Sequence, residues 1–205
     1  MKNPLSYQMS EYDCGPTAVL NALMYLFDRE VIMPDLIKNV YKYTLDRHDK
    51  TGIQGKHGTS NASMCFLTDY LNHYSKQTGF TMSCECILGK EVYIKDNEKI
   101  NSCINNNGVV VFKCISDVPH YVLMTDIKGE DVYLFDSYFR KRPFNLDGIE
   151  MINNPFKANR IVKQYVLDNE GKSDYNLGDI EDRIAVLIHN TSCTKKIRRK
   201  PKWAM

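Results

Sequence analysis

The sequence predicts an α+β fold, with N-terminal helices packed on a C-terminal antiparallel sheet. Helical periodicities fill much of residues 15–78. Segments rich in Val, Ile, Tyr and Phe, separated by Gly, Asp, Asn and Pro, recur from residue 109 to residue 189. With 205 residues, 43% of them hydrophobic, the chain can bury one sizeable core, so residues 1–190 are read as a single domain.

Residues 15–27, GPTAVLNALMYLF, are apolar on nearly every side apart from Asn21, and Pro16 sits where a first helical turn tolerates a missing N–H. A helix buried in the core follows. After Pro34, residues 35–45 place Leu36, Ile37, Val40, Tyr41 and Leu45 at helical spacing. Residues 46–60, with Gly52, Gly55 and Gly58 among charged neighbours, read as a long mobile loop bordering a site. Ser60 caps a third helix that carries Met64, Leu67, Leu71 and Tyr74 to about Lys76, with Gly79 as its stop. Residues 82–94 read as short strands, and Asp96 as the cap of a short helix that Gly108 ends. Strands are expected over 109–115, 120–127, 131–136, 161–167 and 183–189.

Twenty-seven Lys and Arg against 25 Asp and Glu give a net charge of +2. Six of the basic residues fall between Lys195 and Lys202, leaving a mildly acidic body. Residues 191–205 therefore read as a basic, disordered tail, with docking to an acidic partner, anionic lipid or nucleic acid as the other reading. No stripe of aromatic residues interleaves with Lys or Arg, which argues against nucleic acid as a partner. No run approaches the ~20 apolar residues of a bilayer span, and Met1–Tyr7 lacks a secretory pattern, so a cytoplasmic location is expected. Seven cysteines, mostly in apolar or strand-like surroundings, do not suggest a disulfide framework. Cys84-Glu85-Cys86 matches neither a redox pair nor a zinc knuckle when combined with Cys65, Cys103, Cys114, His48, His57 or His73. Core packing is the better account of these cysteines, and no cofactor or metal is expected.

Cys14 opens the buried helix, where unpaired N–H groups and the positive end of the helix dipole favour a thiolate. A small buried residue starting a helix is the plainer reading, and Gly15 beside it permits close approach of a substrate backbone. His120 and Asp136 lie on strands joined by a turn near Lys128-Gly129-Glu130. If residue 126 pairs with 130, then 120 faces 136, and a two-residue shift leaves them diagonal neighbours on one face. Only an odd register or a bulge separates them. The pattern predicts an imidazole held by a carboxylate, the arrangement that fixes its tautomer and steadies the imidazolium.

These residues resemble the bacteriocin-processing, double-glycine-leader cysteine peptidases of family-39 type and their stand-alone relatives, which share a papain-like core. The resemblance spans roughly residues 5–140. It rests on Gln8 six residues before Cys14, on Cys14-Gly15-Pro16 opening a helix, on Pro119-His120-Tyr121-Val122 opening a strand, and on Phe135-Asp136-Ser137 ending the next. It implies a papain-like fold with Cys14 as nucleophile, His120 as general base and acid, Asp136 as orienting group, and Gln8 with the Cys14 N–H in an oxyanion hole. Cleavage of a peptide or amide bond through a thioester is implied, with acyl transfer or non-catalytic peptide binding as alternatives. An exporter or a precursor peptide encoded nearby is the partner such a family suggests. The chain departs from it in the extra length between Cys14 and His120 and in lacking a fused membrane exporter, so leader cleavage does not transfer automatically.

Overall fold

The structure, a computed structural model, describes residues 1–192. The expectations for the basic tail fall on residues 193–205, outside the described residues. Among the described residues, five α-helices, α1 (Cys14–Leu26), α2 (Pro34–Thr44), α3 (Asn61–Thr78), α4 (Glu98–Asn105) and α5 (Gln164–Leu167), accompany a seven-stranded antiparallel sheet. Its strands are β1 (Met82–Leu88), β2 (Val109–Ser116), β3 (Val118–Lys128), β4 (Asp131–Phe135), β5 (Ile149–Asn154), β6 (Ala158–Lys163) and β7 (Ile184–Asn190), in the order β1-β7-β2-β3-β4-β6-β5. The molecule is therefore α+β, as the sequence implies. No described helix is long and apolar enough to cross a membrane.

The sheet is covered on both faces. Val109, Val111, Leu123 and Val186 join α1, α2 and α3 in one apolar cluster, whereas Val110, Phe112, Val122 and Leu187 join Ile100, Leu167 and Tyr175 in a second. Alternate residues of a strand face opposite sides, so a strand buried on both needs an unbroken apolar run, and Val109–Phe112 supplies it. α1 is buried almost all round, and its fully buried Asn21 has a structural task. Asn21 accepts from Ser6 N at 2.8 Å and donates to Ser6 O at 2.9 Å, fixing the N-terminal segment along the helix.

Several boundaries differ from expectation for identifiable reasons. Residues 82–94 contain one strand, because beyond Leu88 the N–H groups of Ile94 and Lys95 bond to the Asp168 carboxylate at 2.6 and 2.8 Å instead of to a strand. The cap of α4 is Asn97, whose side chain accepts from Ile100 N at 3.1 Å, while Asp96 has a φ of 57°. The strand expected over 161–167 lies at Ala158–Lys163 and gives way to α5, and β5 carries too little apolar sequence to announce itself. The Ser60 cap and Gly79 stop of α3 occur as expected, with Gly79 at a φ of 73°.

Candidate active site

Cys14 is the first residue of α1, and the carboxylate of the preceding Asp13 folds the entering chain. Asp13 accepts from Met9 N at 3.1 Å, Ser10 N at 2.8 Å and Ser10 Oγ at 2.8 Å. Helix N–H groups are thereby left near the sulfur rather than capped by Asp13. Gly15 is required for a different reason from the one its sequence position suggests. A Cβ there would overlap Thr59 Oγ1, so the missing side chain admits Thr59 rather than a substrate backbone.

His120 reaches its carboxylate by a route that combines both of the complications capable of separating them. At the turn, Lys128 pairs with Asp131 and Asp126 with Tyr133, an odd register, around Gly129 at a φ of 60°. The ladder then shifts between Met124 and Asp126, after which Met124 pairs with Leu134 and Leu123 with Phe135. The bulge cancels the odd turn and restores an even register, in which residues 120 and 136 are diagonal neighbours on one face. His120 Nε2 lies 2.7 Å from Asp136 Oδ1, with both residues buried.

The environment sets the charges. Burial opposes ionisation of Cys14, but hydrogen bonding and charge from His120, aided by the backbone groups of Tyr121 and Gly15, outweigh it and hold the thiol below its ordinary range. Burial likewise disfavours the imidazolium, yet the Asp136 charge and its hydrogen bond, joined by Cys14, raise His120 to about 10. Asp136 is lowered despite its burial, chiefly by His120. The surroundings therefore favour the anion at Cys14, the imidazolium at His120 and the carboxylate at Asp136.

A further set of residues, which no motif or periodicity marks, holds Asp136. Tyr175 Oη donates to Asp136 Oδ2 at 2.6 Å and accepts from Arg160 Nε at 3.1 Å. Tyr138 N donates to Oδ1 at 2.8 Å. Asn159 bonds the Asp136 backbone on both sides, accepting from its N and donating to its O, each at 2.8 Å. A lone Tyr in an irregular segment has no register or motif through which to be recognised. Asn159 and Arg160 lie where β6 begins, and only the pairing of Arg160 with Leu134 reveals their proximity to Asp136.

Gln8 sits beside this group. Its backbone N donates to Ser137 O at 3.0 Å, its Oε1 accepts from Ser137 Oγ at 3.0 Å, and its Nε2 donates to Ser10 O at 2.8 Å. One amide proton is thus engaged with Ser10, leaving the other for a different acceptor. Cys14 also opens on a cleft of about 810 Å³ lined by Arg47, His57, Asn61, Lys113, Tyr121 and Asp182 among others. Loop 46–60 forms part of this wall. Its neck is closed where Asp46 accepts from Ser60 N at 2.9 Å and Ser60 Oγ at 2.6 Å, and its tip is folded on Asp49.

Among the described residues no group of three or more His, Cys, Asp or Glu side chains is placed to hold a metal ion. In comparisons with known proteins, no family model and no curated protein matches the chain.

Proposed function

We propose that this chain is a papain-like cysteine peptidase that cleaves a peptide or amide bond through a thioester. The observation that carries the reading is the 2.7 Å bond from a buried carboxylate to the same imidazole that lowers the pKa of a helix-terminal thiol. A buried thiolate–imidazolium pair with a third group orienting the ring is expensive to maintain for structure alone, and it is what nucleophilic acyl chemistry requires.

In this mechanism the Cys14 thiolate attacks the substrate carbonyl carbon, and the carbonyl π electrons move onto oxygen. The oxyanion is met by the Cys14 backbone N–H and by the free amide proton of Gln8. Collapse of the tetrahedral adduct breaks the C–N bond as His120 gives its proton to the departing amine, leaving a Cys14 thioester. Water, deprotonated by His120, then attacks the thioester carbonyl. The acid departs, and the thiolate and imidazolium are restored. Asp136 keeps Nε2 of the ring occupied throughout, so Nδ1 faces the sulfur. The cleft beside Cys14 is large enough for an extended peptide segment.

Treating wild type and Cys14→Ala with an acyl-directed electrophile and a mixed peptide library, read by mass spectrometry, tests the proposal. The reading requires one adduct, on Cys14, and peptide products that are absent with the variant. An unlabelled Cys14, or products equal in both samples, removes it.

A further inference from the structure

Away from the cleft, two thiols that the proposed chemistry does not use meet between helix and sheet. Cys65 projects from α3 and Cys86 from β1, and their sulfurs are 2.6 Å apart. This is well inside the separation of two unbonded sulfurs in ordinary contact, while both cysteines are free thiols. Each is only partly buried, so a small solute can reach the pair. The other cysteines of the region are disposed differently. Cys84, two residues from Cys86, has its backbone tied to Asn72 at 2.9 and 2.8 Å, and Cys103 donates to Val109 O at 3.4 Å.

We propose that Cys65 and Cys86 are a thiol–disulfide modification site, oxidised to an intramolecular disulfide by a small-molecule disulfide such as oxidised glutathione. Cys65, as thiolate, attacks one sulfur of the oxidant, forming a mixed disulfide and releasing one equivalent of thiolate. Cys86 then loses its proton and attacks the Cys65 sulfur, closing the bridge and expelling the second equivalent. Two protein thiols and one disulfide thus become one protein disulfide and two small thiols, so atoms and electrons balance. Burial and the adjoining Cys65 push the Cys86 thiol above its ordinary range, and the exchange balances equally with the roles of the two cysteines reversed. The second step is fast because the attacking sulfur is already in place.

The bridge would tie α3 to β1. Asn61, one helical turn before Cys65, receives Lys113 Nζ at 2.8 Å on the cleft wall, so oxidation fixes to the sheet the helix that carries this wall. The site does not depend on the peptidase reading.

The test is to equilibrate the full-length protein with oxidised glutathione or with dithiothreitol, block free thiols with N-ethylmaleimide, and map the peptides. The expected product after oxidation is a linked peptide pair containing Cys65 and Cys86, lost on reduction and retained in Cys84→Ala. Recovery of both cysteines as maleimide adducts after oxidation overturns the proposal. So does their recovery as separate glutathione adducts, or linkage of Cys65 to Cys84 in equal measure. Because the decisive sample is wild type, the outcome does not hinge on whether a cysteine variant folds.

Discussion

Asp136 is a fully formed acceptor whose two oxygens are divided between the ring that it orients and the hydroxyl that anchors it. Tyr175 is itself polarised, since the buried Arg160 guanidinium donates to the oxygen whose proton goes to Asp136. Tyr175→Phe removes one charge-assisted bond and leaves Arg160 Nε without that acceptor, so a loss of about 1.5–3 kcal/mol is expected. The denaturant midpoint should fall with little change in slope. An unchanged midpoint would show that the hydroxyl adds nothing. Gln8 makes a different prediction, because an oxyanion-hole donor acts on the rate. Gln8→Ala should lower turnover of any cleaved peptide by roughly 10²- to 10³-fold, while Cys14 remains alkylatable. Turnover equal to wild type ends its role. At this scale Cys14, His120 and Asp136 were legible because each is tied to a helix start or a strand position, while Gln8 entered only through the family resemblance. Tyr175 was not, since its approach to Asp136 depends on an irregular segment with no repeating geometry.

Among the secondary-structure elements, the hairpin of β3 and β4 shows how a correct pairing can be reached through two deviations that sequence treats as obstacles. An odd turn moves the partner of each residue by one, and the bulge before Asp126 moves it back. The diagonal relation of 120 and 136 was legible, whereas the means of reaching it was not, because a bulge at Thr125 leaves no compositional mark. The long polar insertion is likewise an ordered element with a neck and a folded tip. Ser60 serves both ends of the neck, accepting from Ser63 N at 3.0 Å as the cap of α3 while donating to Asp46. Ser60→Ala should cost about 1 kcal/mol from the lost cap alone, measured by equilibrium unfolding. Asp46→Ala should additionally speed tryptic cleavage at Arg47, Lys50 and Lys56. Cleavage at the wild-type rate would separate the loop's order from this neck.

Across the whole molecule, the candidate site joins two apolar layers. Cys14 belongs to the cluster under α1–α3 and Tyr175 to the cluster on the opposite side of the sheet, with His120 and Asp136 between them. The order of helices and strands was readable because hydrophobic periodicity changes along the chain. The insertion of β7 between β1 and β2 was not, because distant strand pairing is set by how both sheet faces are covered. The coupled charges also leave a thermodynamic trace. A group such as His120, raised from 6.5 to about 10, contributes stability that is complete below pH 6.5 and is lost as pH rises through its folded value. Cys14, lowered on folding, contributes in the opposite sense, its stability being present above the ordinary value of 9.0 and lost as pH falls through the depressed one. The two slopes oppose each other in wild type. In Cys14→Ala only the Asp136-supported rise remains, so stability should decline as pH climbs from 6.5, and it should not do so in Cys14→Ala/His120→Gln. Identical slopes in the two variants would mean that the ring gains no proton affinity on folding.

The most direct measurement is residue-resolved alkylation of the native chain by iodoacetamide at pH 6. Burial holds Cys84 and Cys103 up to about 12 and Cys114 well above its usual range, whereas Cys14 alone among the shifted thiols is lowered. Cys14 should therefore be labelled far ahead of these three, and the advantage should vanish in His120→Gln. Slow labelling of Cys14 at the same rate as the buried thiols would contradict an anionic sulfur and, with it, the proposed chemistry.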